Sequence, residues 1–170
     1  MRYNTNTDMR NKNGFGLIEI VVASAIVSIS LFALIGASKA SFQAVDKSLM
    51  QKRAEFLAEE GIEVVKILRD ASWSTYIDPL ISGTTYYSSF NPSTNTWSLS
   101  TVNPGAVDGI FTRTIVASDV YRRNSDSDIV DISSPDPKTV DSGTILVTSR
   151  ITWESKDVEI LTYVTNIFQN

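Results

Sequence analysis

Residues 14 to 34 read GFGLIEIVVASAIVSISLFAL, a stretch in which glycine and phenylalanine lead into an apolar run with one acid, Glu19. From Phe15 to Ser38, about 24 residues, no other charged side chain occurs. As an α-helix this segment would be roughly 36 Å long, whereas the hydrocarbon core of a bilayer is about 30 Å thick. The stretch therefore predicts a membrane-spanning helix.

Glu19 needs a physical reason, because a carboxylate in a membrane helix costs about 2.5–3.5 kcal/mol near the bilayer centre. One interpretation places it in the first helical turn, where the helix dipole favours negative charge. A second treats the run as the core of a secretory signal cleaved near Ser38-Lys39-Ala40, although such cores usually span about 7–15 residues without an acid. A third joins Gly14, Phe15 and Glu19 into one motif.

This third pattern, a polar leader that ends in Gly14, then Phe15, then an acid four residues farther on, resembles the processing site of type IV prepilins and pseudopilins. The resemblance implies that a prepilin peptidase cleaves after Gly14 and that the new terminus on Phe15 is methylated. It also implies that Glu19 docks subunits. The ammonium on Phe15 of a neighbouring subunit could neutralise the Glu19 carboxylate inside a low-dielectric helical bundle.

The same resemblance implies a location and a set of partners. The precursor would span the cytoplasmic membrane once, with the leader inside and the remainder outside, an orientation that Arg2, Arg10 and Lys12 also favour. The implied partners are the prepilin peptidase, the membrane protein of the assembly platform, other pilins or pseudopilins, and membrane lipid. The mature subunit would then enter a type IV pilus or a type II secretion pseudopilus.

Composition excludes several other functions. The 170 residues contain no Cys and no His, so disulfides, cysteine nucleophiles, Ser–His triads and histidine-ligated metals are impossible. The formal net charge of −4 gives no overall attraction to phosphate backbones, and no nucleic acid partner is expected. Arg122-Arg123 is interpreted as a solvated turn. Glu59 and Glu63 share a helix face without a facing partner, so no catalytic residue and no cofactor is assigned.

Residues 39–72 continue the helical periodicity without a proline, which predicts one helix about 55 residues long whose second half packs on a domain. Gly36 and Gly61 are predicted to mark kinks or close contacts. Residues 57–70 also resemble the corresponding stretch of minor pilins and pseudopilins of the pilus-modification type. The predicted apolar stripe comprises Phe42, Val45, Leu49, Phe56, Val64 and Leu68, widened by Leu57, Val65 and Ile67.

Residues 73–170 are predicted to form a β-rich head. Apolar and polar residues alternate most clearly from Ile145 to Glu154, and a turn at Ser155-Lys156-Asp157 should lead into a final antiparallel strand. The complete organisation is a leader (1–14), an assembly half (15–38), an amphipathic half (39–72) and the head. This is an α+β, pilin-like fold with a small antiparallel sheet. The predicted strands are 84–90, 97–102, 110–118, 145–154 and 158–168.

The segment 119–143 is acidic and is predicted to be a mobile surface loop. Within it Asn124, Asp126 and Asp128 alternate as the first ligands of a calcium loop do, which makes them a weak calcium candidate. Ile129 and Pro135 stand where that pattern needs glycine and glutamate, so no metal is assigned.

Two other functions stay open. A membrane-anchored or secreted adhesin would bind a surface ligand through its sheet and loop, and an exposed aromatic patch on the sheet would favour it. A carboxylate-dependent hydrolase would need two carboxylates from different elements about 5–10 Å apart in a cleft. The sequence shows no sign of such a pair.

Overall fold

The computed structural model describes residues 16–168, and it divides them into one unit that ends at Lys47 and a second that begins at Ser48. The predicted 55-residue helix is confirmed as α1 (Leu17–Ala71), and a short helix α2 (Trp73–Tyr76) follows it. The strands are β1 (Thr85–Asn91), β2 (Thr96–Ser100), β3 (Thr112–Arg123), β4 (Ile129–Val130), β5 (Lys138–Trp153) and β6 (Lys156–Thr165).

The first unit is the apolar part of α1, and every side chain in it from Gly16 to Lys47 is exposed. Three of its serine hydroxyls bond within the helix: those of Ser24, Ser28 and Ser30 donate to carbonyls three or four residues earlier at 2.8–2.9 Å. By length and composition α1 could cross a membrane. Such a continuous apolar surface needs lipid or other protein chains around it rather than water.

The second unit contains an antiparallel sheet with the strand order β2-β1-β3-β5-β6, and β4 pairs with the end of β3. The predicted hairpin of the last two strands is confirmed. Its turn lies one residue earlier than predicted, because Trp153 pairs with Lys156 and leaves only Glu154 and Ser155 between the strands. Glu154 has a φ of 51°, the left-handed conformation that two-residue hairpin turns require.

One face of this sheet packs on the part of α1 that belongs to the second unit. The predicted alternation in β5 is confirmed, since Val147, Ile151 and Trp153 are buried, with Ser149 on the same face, while Thr148, Arg150 and Thr152 alternate with them on the other face. Two apolar clusters result. Val64 and Leu68 of α1 belong to the first, with the buried inner-face residues Ile115, Val147 and Val164. Ala54 and Ala58 belong to the second, with Phe111, Ile151 and Trp153.

Helix α1 buries a different stripe from the predicted one. Val64, Val65 and Leu68 are buried as predicted and Leu57 is half-buried, but the larger side chains toward the amino terminus are exposed: Phe42, Val45, Leu49, Phe56, together with Ile67. The residues that the prediction missed are mainly small: Ala54, Ala58, Gly61 and Ile62. Phe56 follows Ala54 by two residues, about 200° around a helix, and so lies on the opposite side.

The small residues matter because helix and sheet approach closely at Gly61. A Cβ atom there would overlap the Oγ atom of Ser149 and lie 3.2 Å from Cδ of Arg113. Gly61 therefore marks a close contact, one of the two roles predicted for it. Ser149 is fully buried, and its Oγ has no hydrogen-bond partner among the described residues.

Arg113 brings a charge into the same contact. Its side chain is 6% exposed and forms an ion pair with Glu60 of α1 at 2.5 Å. The guanidinium also lies over the ring of Trp97, 5.6 Å from the ring centroid. Removing Glu60 would leave this charge uncompensated, which is the costly case for a buried ion.

We expect Gly61→Ala to lower the free energy of unfolding of the head by about 1–2 kcal/mol. Overpacking costs about 1–3 kcal/mol, and better helix propensity returns up to about 1 kcal/mol. The measurement is denaturant unfolding of the full chain in detergent micelles, followed by tryptophan fluorescence, because all three tryptophans lie in the head.

Gly36→Ala is the matched control, since a Cβ at Gly36 meets nothing within 4 Å. Ser149→Ala should recover most of the loss in the Gly61→Ala background, because it removes the overlapping oxygen. Equal stability of Gly61→Ala and the wild type would contradict the close contact.

Candidate functional site

Glu19 lies at the start of α1 and helps to form it. Gly16 is the residue before the helix, and its backbone N–H donates to Oε2 of Glu19 at 3.1 Å, while its carbonyl accepts from the N–H of Glu19 at 3.0 Å. This is the side-chain half of a capping box, in which the third helical residue reaches back to the cap. The positive end of the helix dipole adds to the effect.

Capping uses only part of the acid's capacity. A carboxylate can accept about four hydrogen bonds, and Glu19 is exposed in a shallow groove between apolar side chains, with Ile18, Val22 and Ile26 beside it. Among residues 16–168 no basic side chain forms an ion pair with Glu19. Inside a membrane or a helical bundle, this charge would call for a cation from another chain.

The structure places one of the three predicted motif residues. Gly14 and Phe15 lie outside the described residues, and with them the first position of the predicted span from Phe15 to Ser38. The motif can also be tested by comparing the sequence with models of known families. Residues 9–35 match a family model described as a prokaryotic N-terminal methylation motif.

This match supports a type IV pilin-like protein. Neither a curated protein nor a solved structure matches the chain. The motif and the apolar helix together support processing by a prepilin peptidase, a methylated amino terminus and anchoring in a membrane through α1. They point to a structural subunit rather than to an enzyme. The α+β architecture, a long helix packed on an antiparallel sheet, agrees with the fold that the resemblance implies.

The acidic segment 119–143 is not the continuous loop that its composition predicts. Strand β3 extends to Arg123, β5 already begins at Lys138, and the two remain paired up to Arg123 and Lys138 after a bulge between Asp119 and Tyr121. Strand β4 pairs with β3 on its other side. Only residues 124–128 and 131–137 lie outside the strands.

The prediction of a solvated turn at Arg122 and Arg123 is wrong. Both lie in β3, are half-buried, and bind aspartates that come from other parts of the segment. Nε of Arg122 is 2.6 Å from Asp141. Arg123 contacts Asp136 through Nε at 2.8 Å and Asp126 through a terminal nitrogen at 2.7 Å. These charge-assisted contacts tie the segment together across the hairpin.

The calcium candidate occupies this same cluster. Asp126 faces Arg123, and the carboxylate of Asp128 is 4.0 Å from the same guanidinium. The backbone N–H of Asn124 donates to the carbonyl of Pro137 at 2.9 Å. In the part of the chain that the structure describes, no group of three acidic residues is arranged to hold a metal ion. Arginine is thus the cation next to these aspartates.

The glutamates of α1 agree with a solvated face. Glu59 and Glu63 are both exposed, and Glu63 forms an ion pair with Lys66 at 2.6 Å. Such exposed pairs contribute a few tenths of a kcal/mol.

Because hydrogen bonds favour the ionised form of several aspartates in segment 119–143, the head should lose stability in acid. The pKa of Asp126 is lowered by the backbone N–H of Asp128 and by Arg123. Burial raises the pKa of Asp141, but hydrogen bonds from Arg122, Thr144 and Gly143 outweigh it and lower the pKa overall. A depressed folded-state pKa means that stability is present above the unfolded value of about 3.9 and is lost as pH falls through the folded value.

We therefore expect the free energy of unfolding to decrease as pH falls below about 4. Asp141→Asn, which keeps an acceptor but cannot titrate, should make this decrease shallower in unfolding curves recorded from pH 6 to pH 2. An unchanged slope would show that the ion pair of Asp141 with Arg122 does not contribute.

Proposed function

We propose that the chain is a minor pilin-like or pseudopilin subunit that is cleaved after Gly14, methylated at Phe15 and assembled into a type IV pilus or a type II secretion pseudopilus. Its function is assembly rather than substrate turnover. The leader would lie in the cytoplasm and the head on the outer side of the cytoplasmic membrane. Its partners would be the prepilin peptidase, the platform membrane protein and other pilins or pseudopilins.

The observation that carries this proposal is an acid that lies within the matched methylation motif, on an exposed apolar helix, and forms no ion pair with any residue from 16 to 168. In a single chain Glu19 has a capping role, which accounts for one oxygen only. In a polymer the freed ammonium on Phe15 of a neighbouring subunit can approach the other oxygen. The pair is then favourable because both charges would otherwise be unpaired in a low dielectric.

A second surface of α1 suits contact between subunits. Leu49 and Phe56, seven residues apart, are 57% and 67% exposed and lie on one helix face. In sequence the seven-residue spacing continues back to Phe42, and Val45 lies four residues before Leu49. Large apolar side chains in a regular exposed row are unusual on a solvated helix and typical of a surface that another helix covers.

A membrane-anchored adhesin remains the second candidate. The observation in its favour is a cavity on the outer face of the sheet, beside Tyr163, which is 52% exposed. A pilin scaffold can carry such a binding head, so the two functions are compatible.

The first test is mass spectrometry of the mature amino terminus, in cells with and without the prepilin peptidase. With the peptidase, we expect a terminus at Phe15 that carries one methyl group. Without it, we expect the intact leader. An intact leader in both strains, or a terminus at Ser41, would contradict the proposal.

The second test separates assembly from processing. Glu19→Ala should still be cleaved after Gly14 but should enter sheared fibres or pseudopili at least several-fold less, because the incoming ammonium loses its partner. Glu63→Ala is the matched control, since it removes an acid from the exposed face of the same helix. Normal incorporation of Glu19→Ala would remove the docking role and leave the family resemblance intact.

A further inference from the structure

The face of the sheet that points away from α1 contains a cavity of about 340 Å³ that the proposed assembly does not use. Its floor comes from Leu146 of β5 and Tyr163 of β6, which are direct partners in the β5–β6 ladder. The segment 129–132 and Tyr121 form its wall. The cavity therefore combines parts of four strands, β3 to β6, with residues 131 and 132 of the acidic segment.

The charged side chains that line the cavity are all negative. Asp119 and Asp131 contribute carboxylates, and no lysine or arginine is among the lining residues. The N–H and hydroxyl of Ser133 donate to Oδ1 of Asp131 at 2.8 and 2.5 Å. These hydrogen bonds lower the pKa of Asp131, which therefore stays ionised at neutral pH. They leave its second oxygen free to accept a hydrogen bond.

The basic residues of the neighbouring segments already bind other groups. Arg122 and Arg123 form ion pairs with other aspartates of the segment. Lys138, whose charge acts on Asp131, donates its ammonium to the carbonyl of Ser134. These basic side chains therefore bind elsewhere and leave the carboxylates of the cavity available to a cation from outside.

The remaining lining is aromatic and aliphatic. Tyr163 is 52% exposed and Ile132 is 66% exposed, so both can contact a ligand without rearrangement of the core. Tyr121 is half-buried in the wall. Tyrosine faces attract cations, and aliphatic walls suit the methylene stem of a long basic side chain.

We propose that this cavity binds an arginine side chain of a partner protein. Arginine fits better than lysine because its planar guanidinium can stack on a tyrosine ring and present a fork of donors to a carboxylate at the same time. The site is accessible, because β6 is the edge strand of the sheet and carries Tyr163.

The test uses the full chain in detergent micelles, labelled with 3-fluorotyrosine and titrated with acetyl-Gly-Arg-Gly-amide. The fluorine signals of Tyr121 and Tyr163, identified with Tyr121→Phe and Tyr163→Phe, should shift saturably. Tyr76 and Tyr86 do not line the cavity and serve as internal references. The matched citrulline peptide has the same shape without the charge and should shift these signals much less at equal concentration. The lysine peptide should bind more weakly than the arginine peptide.

Asp131→Asn should reduce the affinity for the arginine peptide by about two- to tenfold, because it removes the charge but keeps the oxygen that Ser133 binds. Asp108→Asn changes the net charge equally at an exposed site outside the cavity and should leave the affinity unchanged. Equal responses to the arginine and citrulline peptides would overturn the proposal, and so would equal binding of lysine or an unchanged affinity of Asp131→Asn. None of these results depends on whether the chain enters a fibre.

Discussion

Among the described residues the carboxylate of Glu19 has no cation as a partner, and this constraint governs the amino-terminal half of α1. Ser24, Ser28 and Ser30 turn their hydroxyls back onto the helix, so the surface around the acid offers lipid or protein almost nothing polar. Gly16 satisfies one oxygen of Glu19 and leaves the negative charge itself unpaired among the described residues. An isolated helix of this kind is stable in neither medium: water disfavours its apolar surface, and lipid disfavours its charge. Association with a chain that brings a cation removes both problems together.

The second unit depends on a different feature of the same helix, the small residues that face the sheet. Ala54, Ala58 and Gly61 let the backbone of α1 approach the sheet until Gly61 meets Ser149. The approach also brings Glu60 onto Arg113, a charge that the interior could not otherwise hold. Large side chains are thereby displaced to the far side of the helix, where they form an exposed apolar row. Close packing on the sheet and a surface for further association are consequences of one arrangement of residues.

The sequence predicts the helices and strands better than the contacts between them. Period and length identified the long helix, the strands β1 and β2 and the β5–β6 hairpin, because local residue choice dictates these features. The buried stripe was predicted from large apolar residues, whereas a helix that lies close to a sheet buries alanine and glycine and exposes Phe56. Arg122 and Arg123 resembled a turn because their neighbours are polar. Asp126 is a local partner of Arg123, but Asp136 and Asp141, 13 and 19 residues from their arginines, become neighbours only once β3 and β5 pair. For the cavity on the outer face, the available signal was the outward position of Leu146 and Tyr163 in adjacent strands.

Pairing also decides where the negative charge of the head acts. Asp126, Asp136 and Asp141 are offset by two arginines and contribute little to the field outside the protein. Within residues 16–168, Asp119 and Asp131 form no ion pair, and they line the outer-face cavity together with Tyr121 and Tyr163. The carboxylates of Asp119 and Asp131 act at this partly apolar cavity, where partly enclosed walls of low dielectric strengthen their negative potential. A surface of this kind repels phosphate backbones and attracts a basic side chain with an apolar stem. The head thus has its own basis for choosing a partner, independent of the one that α1 provides.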